Sequence, residues 1–305
     1  MYQPWLSICV PTCNRPDIIV QLIDSINEQN VDKTLYEVCI SDNSTNDDTC
    51  VLVEEISKGF SNIRYQKSDC KGFLNSVEAL KMGSGKYLKL HNDYSIFQKD
   101  SIVRIIDAII YAEKSHTYIY FSLGILNKNT ILGPFYSFNE FAYCISYFAT
   151  WSSSFGIWKE EFDGIISDGI VPNYMYPHTS FLHKLTNEKR YFVDDSPYAH
   201  SITPKKKGGY NLVDNFVRIY LSMVKEELLD KSIINLKTYY RIQYGVLRFC
   251  ADWFYATKDD PEKFTFLFDD DELIVLRTCG QAALWIYRFD KVKSKLRHDI
   301  KKLKQ

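Results

Sequence analysis

The feature that most constrains this chain is a strict alternation of strand and helix patterns over its first 110 residues. Short apolar runs closed by polar or turn residues predict buried strands at residues 5–11, 36–40, 62–66 and 87–90. Apolar residues at helical spacing fill the segments between the strands, with Asp17 as a candidate N-cap of the first helix. Because such alternation implies βαβ units, we expect an α/β fold with a mostly parallel central sheet.

The polar ends of three predicted strands form the candidate site. They read Thr12-Cys13-Asn14, Ser41-Asp42-Asn43 and His91-Asn92-Asp93. The carboxyl ends of parallel strands share one edge of a sheet, and ligands of open α/β sheets bind in the crevice outside that edge. The topology therefore predicts that these side chains converge.

The composition excludes several classes of protein. With 46% hydrophobic and 25% charged residues it is typical of a globular protein, and a net charge of −1 gives no general attraction to nucleic acid. Eight cysteines without a C-x-x-C pair, and no signal-peptide pattern, favour the reducing cytoplasm over a disulfide scaffold. No apolar stretch approaches the roughly 18 residues of a membrane-spanning helix.

Four motifs, in this order, resemble the GT-A glycosyltransferases of family 2. They are SICVPTCNRP at 7–16, ISDNSTNDDT at 40–49, Gly72 with Asn75, and GKYL at 85–88. A weaker similarity to the abequosyltransferase-like branch of bacterial surface-polysaccharide enzymes continues to about residue 210, through TW and WK within 150–159 and YPH at 176–178.

The resemblance also divides the chain into parts. It implies a GT-A domain at 1–212, with a nucleotide-binding half at 1–110 and an acceptor half at 111–212. In the second half of that domain, the sequence pattern predicts strands at 117–126 and 152–157 and a basic loop at 205–210. Helical patterns from residue 213, with a break near residue 290, predict a helical C-terminal extension at 213–305.

In this family the activity is inverting transfer of a sugar from a nucleotide diphospho-sugar, which the resemblance implies here. Asp42 matches the acidic residue that bonds the base, although an aspartate there could instead cap the second helix. The other residues expected to bind the donor are Pro11, Thr12, Asn14, Arg15, Asp69, Lys71, Asn75 and Asn92.

The D-x-D metal motif of the family falls on His91-Asn92-Asp93, so a histidine replaces its first acidic residue. The resemblance implies Mn²⁺ or Mg²⁺ held by Asp93 and His91 on the donor diphosphate, and imidazole suits Mn²⁺ better than Mg²⁺. The alternative is binding of the diphosphate without a metal, through Lys86, Lys89 or the KKK loop at 205–207, where Lys206 is our candidate.

The transfer also needs a base on the acceptor side, in the region where the family carries an aspartate. His178 is the first candidate, because histidine titrates near neutrality and this one follows a proline at a predicted helix start. Asp168 is the second. The alternative is that His178 only packs in the core.

Residues 288–304 carry basic residues around apolar ones at helical spacing. This pattern predicts an amphipathic helix that lies on an anionic membrane surface, although an ordinary terminal helix with a solvated basic face is an alternative. We therefore expect a cytoplasmic glycosyltransferase, peripheral at the inner face of the plasma membrane, with a saccharide or lipid-linked acceptor; an oligomer is left open.

Two rival interpretations stay open at this point. A nucleotidyltransferase would carry a glycine-rich phosphate loop, which PTCNR at 11–15 is not. A catalytically inactive GT-A relative that binds glycans or assists assembly is suggested by His91 in the metal motif.

Overall fold

The computed structural model describes residues 3–188, 190–202 and 206–302. The chain separates into two compact units, which are described one at a time. The first comprises the described residues up to Phe141 together with Phe148–Ile202. The second comprises Ala142–Tyr147 and the described residues from Lys206 onward. The division of roles at residue 212 stays a prediction. Lys205, where the predicted basic loop begins, and residues 303 and 304 of the predicted terminal helix lie outside the described residues.

The first unit contains ten strands and seven α-helices among its described residues. The strands are Leu6–Thr12 (β1), Tyr36–Asp42 (β2), Ile63–Lys67 (β3), Tyr87–Leu90 (β4), Ser95–Phe97 (β5), Tyr118–Phe121 (β6), Ile131–Phe135 (β7), Gly156–Trp158 (β8), Tyr191–Asp194 (β9) and Ala199–Ser201 (β10). The helices are Pro16–Asn27 (α1), Asp48–Ser57 (α2), Asn75–Met82 (α3), Ser101–Glu113 (α4), Phe138–Ile145 (α5, which runs on into the second unit), Lys159–Ser167 (α6) and Pro177–Leu182 (α7).

The central sheet has the order β3-β2-β1-β4-β8. Its first four strands are parallel, as the sequence predicted, and only β8 is antiparallel. Strands β1 and β2 are buried on both faces, which is typical of parallel strands covered by helices on both sides. Gly85 precedes β4 because a Cβ there would lie 2.9 Å from the backbone nitrogen of Ser7.

Three differences from the predicted elements concern strands of the first unit. Residues 152–157 are not one strand: Ser152–Ser154 form a 3₁₀ turn and only Gly156–Trp158 pair with β4. The predicted strand at 117–126 ends at Phe121, where the three-stranded sheet β6-β9-β7 ends. The loop that follows is held by the Asp195 carboxylate, which accepts backbone N–H groups from Leu126 and Lys128. The short strands β5, β7 and β10 were not predicted.

The second unit is mostly helical but contains a small parallel sheet. Its elements are Lys207–Asn211 (β11), Leu221–Val224 (α8), Leu236–Asp259 (α9), Phe264–Leu267 (β12), Asp271–Cys279 (α10) and Gln281–Lys302 (α11), with π-helical stretches at Asp214–Tyr220 and Lys225–Leu229. The prediction of a loop through residue 210 was wrong, because β11 pairs with β12. The predicted break near residue 290 was also wrong: the break lies at Gly280, which has φ +85°.

Two sequence expectations about the chain as a whole can be compared with this structure. None of the eight cysteines, all of which lie within the described ranges, forms a disulfide. No helix in the described part of the chain combines the length and the apolar character needed to cross a bilayer.

Candidate active site

The ends of β1 and β4 meet through the side chain of Asp93. Its Oδ2 accepts a hydrogen bond of 2.8 Å from Thr12 Oγ1, and its Oδ1 accepts one of 2.9 Å from Arg15 Nη1. Neighbouring parallel strands bring these residues together, since β1 and β4 pair directly. The convergence predicted from the topology is therefore observed for Thr12 and Asp93, and Arg15 joins them.

The two charged partners of this contact differ in their exposure to solvent. The Asp93 side chain is 2% exposed, whereas that of Arg15 is 38% exposed. Burial raises the pKa of Asp93, and the nearby Arg15 and Thr12 only partly oppose that effect. The site thus holds a carboxylate that its surroundings do not fully stabilise.

His91 is turned into the core of the unit. Its ring is fully buried and stacks on Phe97, with centroids 4.1 Å apart and planes 11° apart. Nε2 lies 2.6 Å from the Ser95 carbonyl oxygen, which can only accept, so Nε2 carries the proton. Nδ1 is left as a buried lone pair without a hydrogen-bond partner among the described residues. Burial, together with Lys89, lowers the pKa of His91 to about 3, so the ring is neutral at pH 7.

Asn92 is fixed by a serine turn that sequence reasoning missed. Its backbone N–H donates to Ser153 Oγ at 2.9 Å, and its Oδ1 accepts from Ser152 Oγ at 2.7 Å. Its side-chain nitrogen donates to the Tyr94 hydroxyl at 2.9 Å. The run SSS at 152–154 was the available signal, but a run of small residues was interpreted as a strand.

Asp42 lies at the end of β2 and is fully occupied by internal contacts. Its Oδ1 accepts from the backbone and hydroxyl of Ser44, and its Oδ2 accepts from the Tyr65 hydroxyl at 2.7 Å. Lys67 Nζ lies 3.8 Å away. The alternative of a helix cap was wrong, because Asp47 is the N-cap residue of α2.

Asn75 joins the ends of β1 and β2. Its side-chain nitrogen donates to the carbonyls of Ser41 at 2.8 Å and Thr12 at 3.1 Å, and its oxygen accepts from Ser41 Oγ at 2.7 Å. Asn14 joins the two following loops: it has φ +52°, a conformation that asparagine tolerates, and its side chain accepts from Thr45 N at 3.0 Å. Both asparagines therefore hold the edge in shape.

The remaining candidate donor-binding residues are placed as follows. Pro11 is half-buried in β1, and Asp69 and Lys71 are exposed in the loop after β3. Lys206 belongs to the second unit and has φ +57°.

Lys86 and Lys89, the two single lysines of the metal-free alternative, make contacts away from the carboxyl ends of the strands. Lys86 precedes β4, at the opposite end of the strand from Asp93, where it pairs with Glu113 and lies 3.9 Å from the Trp5 ring centroid. Lys89 is fully buried and donates to the Ser153 carbonyl at 2.6 Å, and burial lowers its pKa to about 7. Neither reaches the outer edge of the sheet.

The two candidate bases have contrasting environments. His178 is the second residue of α7 and is 5% exposed, and its Nε2 has no hydrogen-bond partner among the described residues. Burial lowers the pKa of His178 to about 4, against the opposing effect of the Thr150 and Ala149 carbonyls. Asp168 is the C-cap residue of α6 and is exposed.

The donors at this edge do not fit a divalent cation in the arrangement seen here. Hard cations take several oxygen ligands. Both oxygens of Asp93 already accept hydrogen bonds, and Nε2 of His91 is bonded to Ser95. In the described ranges no three His, Cys, Asp or Glu side chains converge as a metal site.

Two solved structures share the fold of this chain. TarS from S. aureus, in complex with UDP-GlcNAc, matches with a TM-score of 0.56 over 96% of this chain and 92% of its own, at 15% identity. The mannosyltransferase PcManGT from Pyrobaculum calidifontis, in complex with GDP-Man and Mn²⁺, matches with a TM-score of 0.51 over 96% of this chain and 88% of its own, at 13% identity. At such identities the likeness shows the fold alone, and the predicted GT-A fold is confirmed.

The N-terminal sequence matches a protein family over part of the chain. Residues 7–121 match the model described as Glycosyl transferase family 2. Abequosyltransferase RfbV from Salmonella typhimurium is 29% identical over 103 residues, which make up 32% of this chain and 30% of that relative. Residues 7–121 therefore resemble family 2 glycosyl transferases, and the predicted resemblance is confirmed.

Proposed function

We propose that this protein transfers a sugar from a nucleotide diphospho-sugar to a saccharide or lipid-linked acceptor in bacterial surface polysaccharide synthesis. The observation that carries the proposal is the convergence of Thr12, Arg15 and Asp93 at the carboxyl edge of the sheet in a family 2 domain. One relative is named as an abequosyltransferase, and two structures with the same fold hold UDP-GlcNAc and GDP-Man. These names support an activated sugar as the donor.

The proposed reaction inverts the anomeric centre. The acceptor oxygen attacks the anomeric carbon from the face opposite the diphosphate, the bond from that carbon to the diphosphate breaks, and the acceptor proton passes to a base. The transition state resembles an oxocarbenium ion, as in glycoside hydrolysis. His178 is our first proposal for the base, because its Nε2 is an unpaired lone pair, and Asp168 is the second.

The candidate donor-binding residues divide into two groups. Thr12, Asp42 and Asn75 are buried and hydrogen-bonded within the unit, so we propose that they shape the edge. The residues proposed to contact the donor directly are Pro11, Asn14, Arg15, Asp69, Lys71 and Asn92. The contact of Lys206 with the diphosphate stays a prediction.

The divalent cation predicted at Asp93 and His91 stays a prediction. The Mn²⁺ of the mannosyltransferase supports a metal in this fold. The hydrogen bonds of Asp93 and His91 described above do not support one in this chain.

The proposal is tested by thermal unfolding with UDP, GDP, CDP and dTDP, each with Mn²⁺ and with EDTA. A ligand present at about 100 times its Kd adds about 2.7 kcal/mol to the folded state. Stabilisation by one nucleotide would identify the donor class. The matching sugar nucleotide should then release that nucleotide when extracted lipid-linked saccharides are added as acceptors, which supports transfer. Binding of glycans without binding of any nucleotide favours the inactive relative.

We further propose that α11 docks on an anionic membrane surface. Its inner face, with Leu284 and Tyr287, is buried, whereas the opposite face exposes an apolar stripe. The stripe comprises Trp285, Phe289, Val292, Leu296 and Ile300. Arg288, Lys291 and Arg297 pair with carboxylates of the same unit, which leaves Lys293 and Lys295 as exposed cations on either side of the stripe.

Charge favours a membrane over a second copy of this helix. Two copies packed through the stripe would bring lysines against lysines, which disfavours self-association. Flotation with phosphatidylglycerol vesicles should succeed for wild type and fail for Phe289→Ser, whereas Tyr111→Ser, an exposed aromatic in the first unit, should float like wild type. Equal flotation with phosphatidylcholine alone, or a dimer that Phe289→Ser dissociates, would contradict docking on anionic lipid.

A further inference from the structure

The metal motif of this chain supplies a single carboxylate. His91 is buried and neutral, and Asn92 is fixed by Ser152, Ser153 and Tyr94. Asp93 is left as the one anion of the three residues, and each of its oxygens already accepts a hydrogen bond. The cationic group at this position is the guanidinium of Arg15, 2.9 Å from Asp93 Oδ1.

Arg15 is held in place at both its backbone and its head group. Its carbonyl accepts the N–H groups of Ile18 at 3.2 Å and Ile19 at 3.1 Å, which begins α1. Its guanidinium carbon lies 5.5 Å from the Tyr94 ring centroid. A guanidinium carries five N–H donors, so the contact with Asp93 leaves further donors on a side chain that is 38% exposed.

We propose that Arg15, oriented by Asp93, binds the donor diphosphate in the place of a divalent cation. The planar fork of a guanidinium matches two phosphate oxygens, and such charge-assisted pairs are among the strongest hydrogen bonds in proteins. Asp93 is a positioning residue behind it, shielded by its burial from the phosphate charge. The inference rests on the proposed function, because it concerns the same donor site, and it makes donor binding independent of metal.

The test is titration calorimetry with the nucleoside diphosphate that most stabilises wild type, in EDTA and in Mn²⁺. Wild type should bind with a Kd that agrees within about twofold in the two buffers. Arg15→Gln should weaken binding in EDTA by about tenfold or more, which is 1.4 kcal/mol per factor of ten. Arg15→Lys, which keeps the charge but not the fork, should fall between them.

Arg104→Gln is the matched control, since Arg104 is an exposed arginine of α4 that lies on the Tyr198 ring. It should bind like wild type, and thermal unfolding without nucleotide should show that each variant is folded. Wild-type binding that EDTA abolishes and Mn²⁺ restores overturns the inference but leaves the proposed function standing. So does an Arg15→Gln variant that binds like wild type. Wild type that binds no nucleotide in either buffer overturns both.

Discussion

Each end of the central sheet buries a carboxylate, and the two carboxylates differ in the number of hydrogen-bond donors around them. At the amino end of the strands, Glu37 Oε1 accepts hydrogen bonds from Ser7 Oγ at 2.6 Å and from the backbone of Ser84 at 2.5 Å and Gly85 at 3.2 Å. Its Oε2 pairs with Arg64 at 2.7 Å. At the carboxyl end, Asp93 has one hydroxyl and one half-exposed arginine.

The difference in donors reverses the effect on the pKa. Burial alone would raise the pKa of Glu37, but its hydrogen bonds and Arg64 outweigh burial and lower it. Burial prevails at Asp93 and raises its pKa. Glu37, with donors on both oxygens, stabilises the fold, whereas Asp93 pairs with a partly exposed arginine that we propose it orients for a ligand.

The largest expected effect is on stability at the amino end. Glu37→Gln removes the charge that these hydrogen bonds and Arg64 stabilise, so the free energy of unfolding should fall by about 2–3 kcal/mol. Nucleotide affinity should not change, since the site lies at the other end. The measurement is urea denaturation beside Glu78→Gln, which alters a more exposed carboxylate paired with Lys81 and should cost less than about 0.5 kcal/mol. Equal losses of unfolding free energy in the two variants would contradict a special stabilising role for Glu37.

The next largest effect is expected for Asn75, which joins the carboxyl ends of β1 and β2. Asn75→Ala leaves the Ser41 and Thr12 carbonyls without this donor, so we expect a loss of about 2 kcal/mol together with weaker nucleotide binding. Asn46→Ala removes an exposed contact to Asp48 and should change stability by less than about 0.5 kcal/mol. Urea denaturation and calorimetry on both variants check this. A variant at Asn75 with lower stability and unchanged affinity would separate the fold of this edge from binding.

A smaller effect should appear in acid. Glu37 has a folded-state pKa below its ordinary 4.5, so its contribution is present above pH 4.5 and is lost as the pH falls through the folded value. The stability difference between wild type and Glu37→Gln should therefore shrink below pH 4.5. For Asp93 the sign is opposite, because the folded state holds its proton more tightly than the unfolded chain does. Denaturation midpoints between pH 3 and 7 should show the two trends, and parallel curves would contradict them.

The smallest effect on stability is expected for Asp93→Asn. A raised pKa means that the folded state tolerates a neutral group there, so the free energy of unfolding should change by less than about 1 kcal/mol. Nucleotide affinity should still fall by about threefold or more, since asparagine cannot pair ionically with Arg15. A large loss of stability with unchanged affinity would make Asp93 a structural carboxylate like Glu37.

The sequence was informative where local patterns determine structure. Alternating strand and helix patterns were enough to predict the first four strands, their parallel pairing and the edge where Thr12 and Asp93 meet. The direction of a side chain was not predictable, because it depends on partners far along the chain: His91 stacks on Phe97 and bonds Ser95, and the loops at 122–129 and 152–154 are fixed by Asp195 and Lys89. The catalytic, donor-binding and metal roles of individual residues stay predictions.

The most direct test of donor binding at the carboxyl edge is amide hydrogen exchange with and without the best-binding nucleoside diphosphate. We expect added protection in the segments 12–15, 43–46 and 92–95, and none at 83–86 beside Glu37. Protection confined to residues 83–86, or to the second unit, would contradict a donor site at the carboxyl ends of the strands.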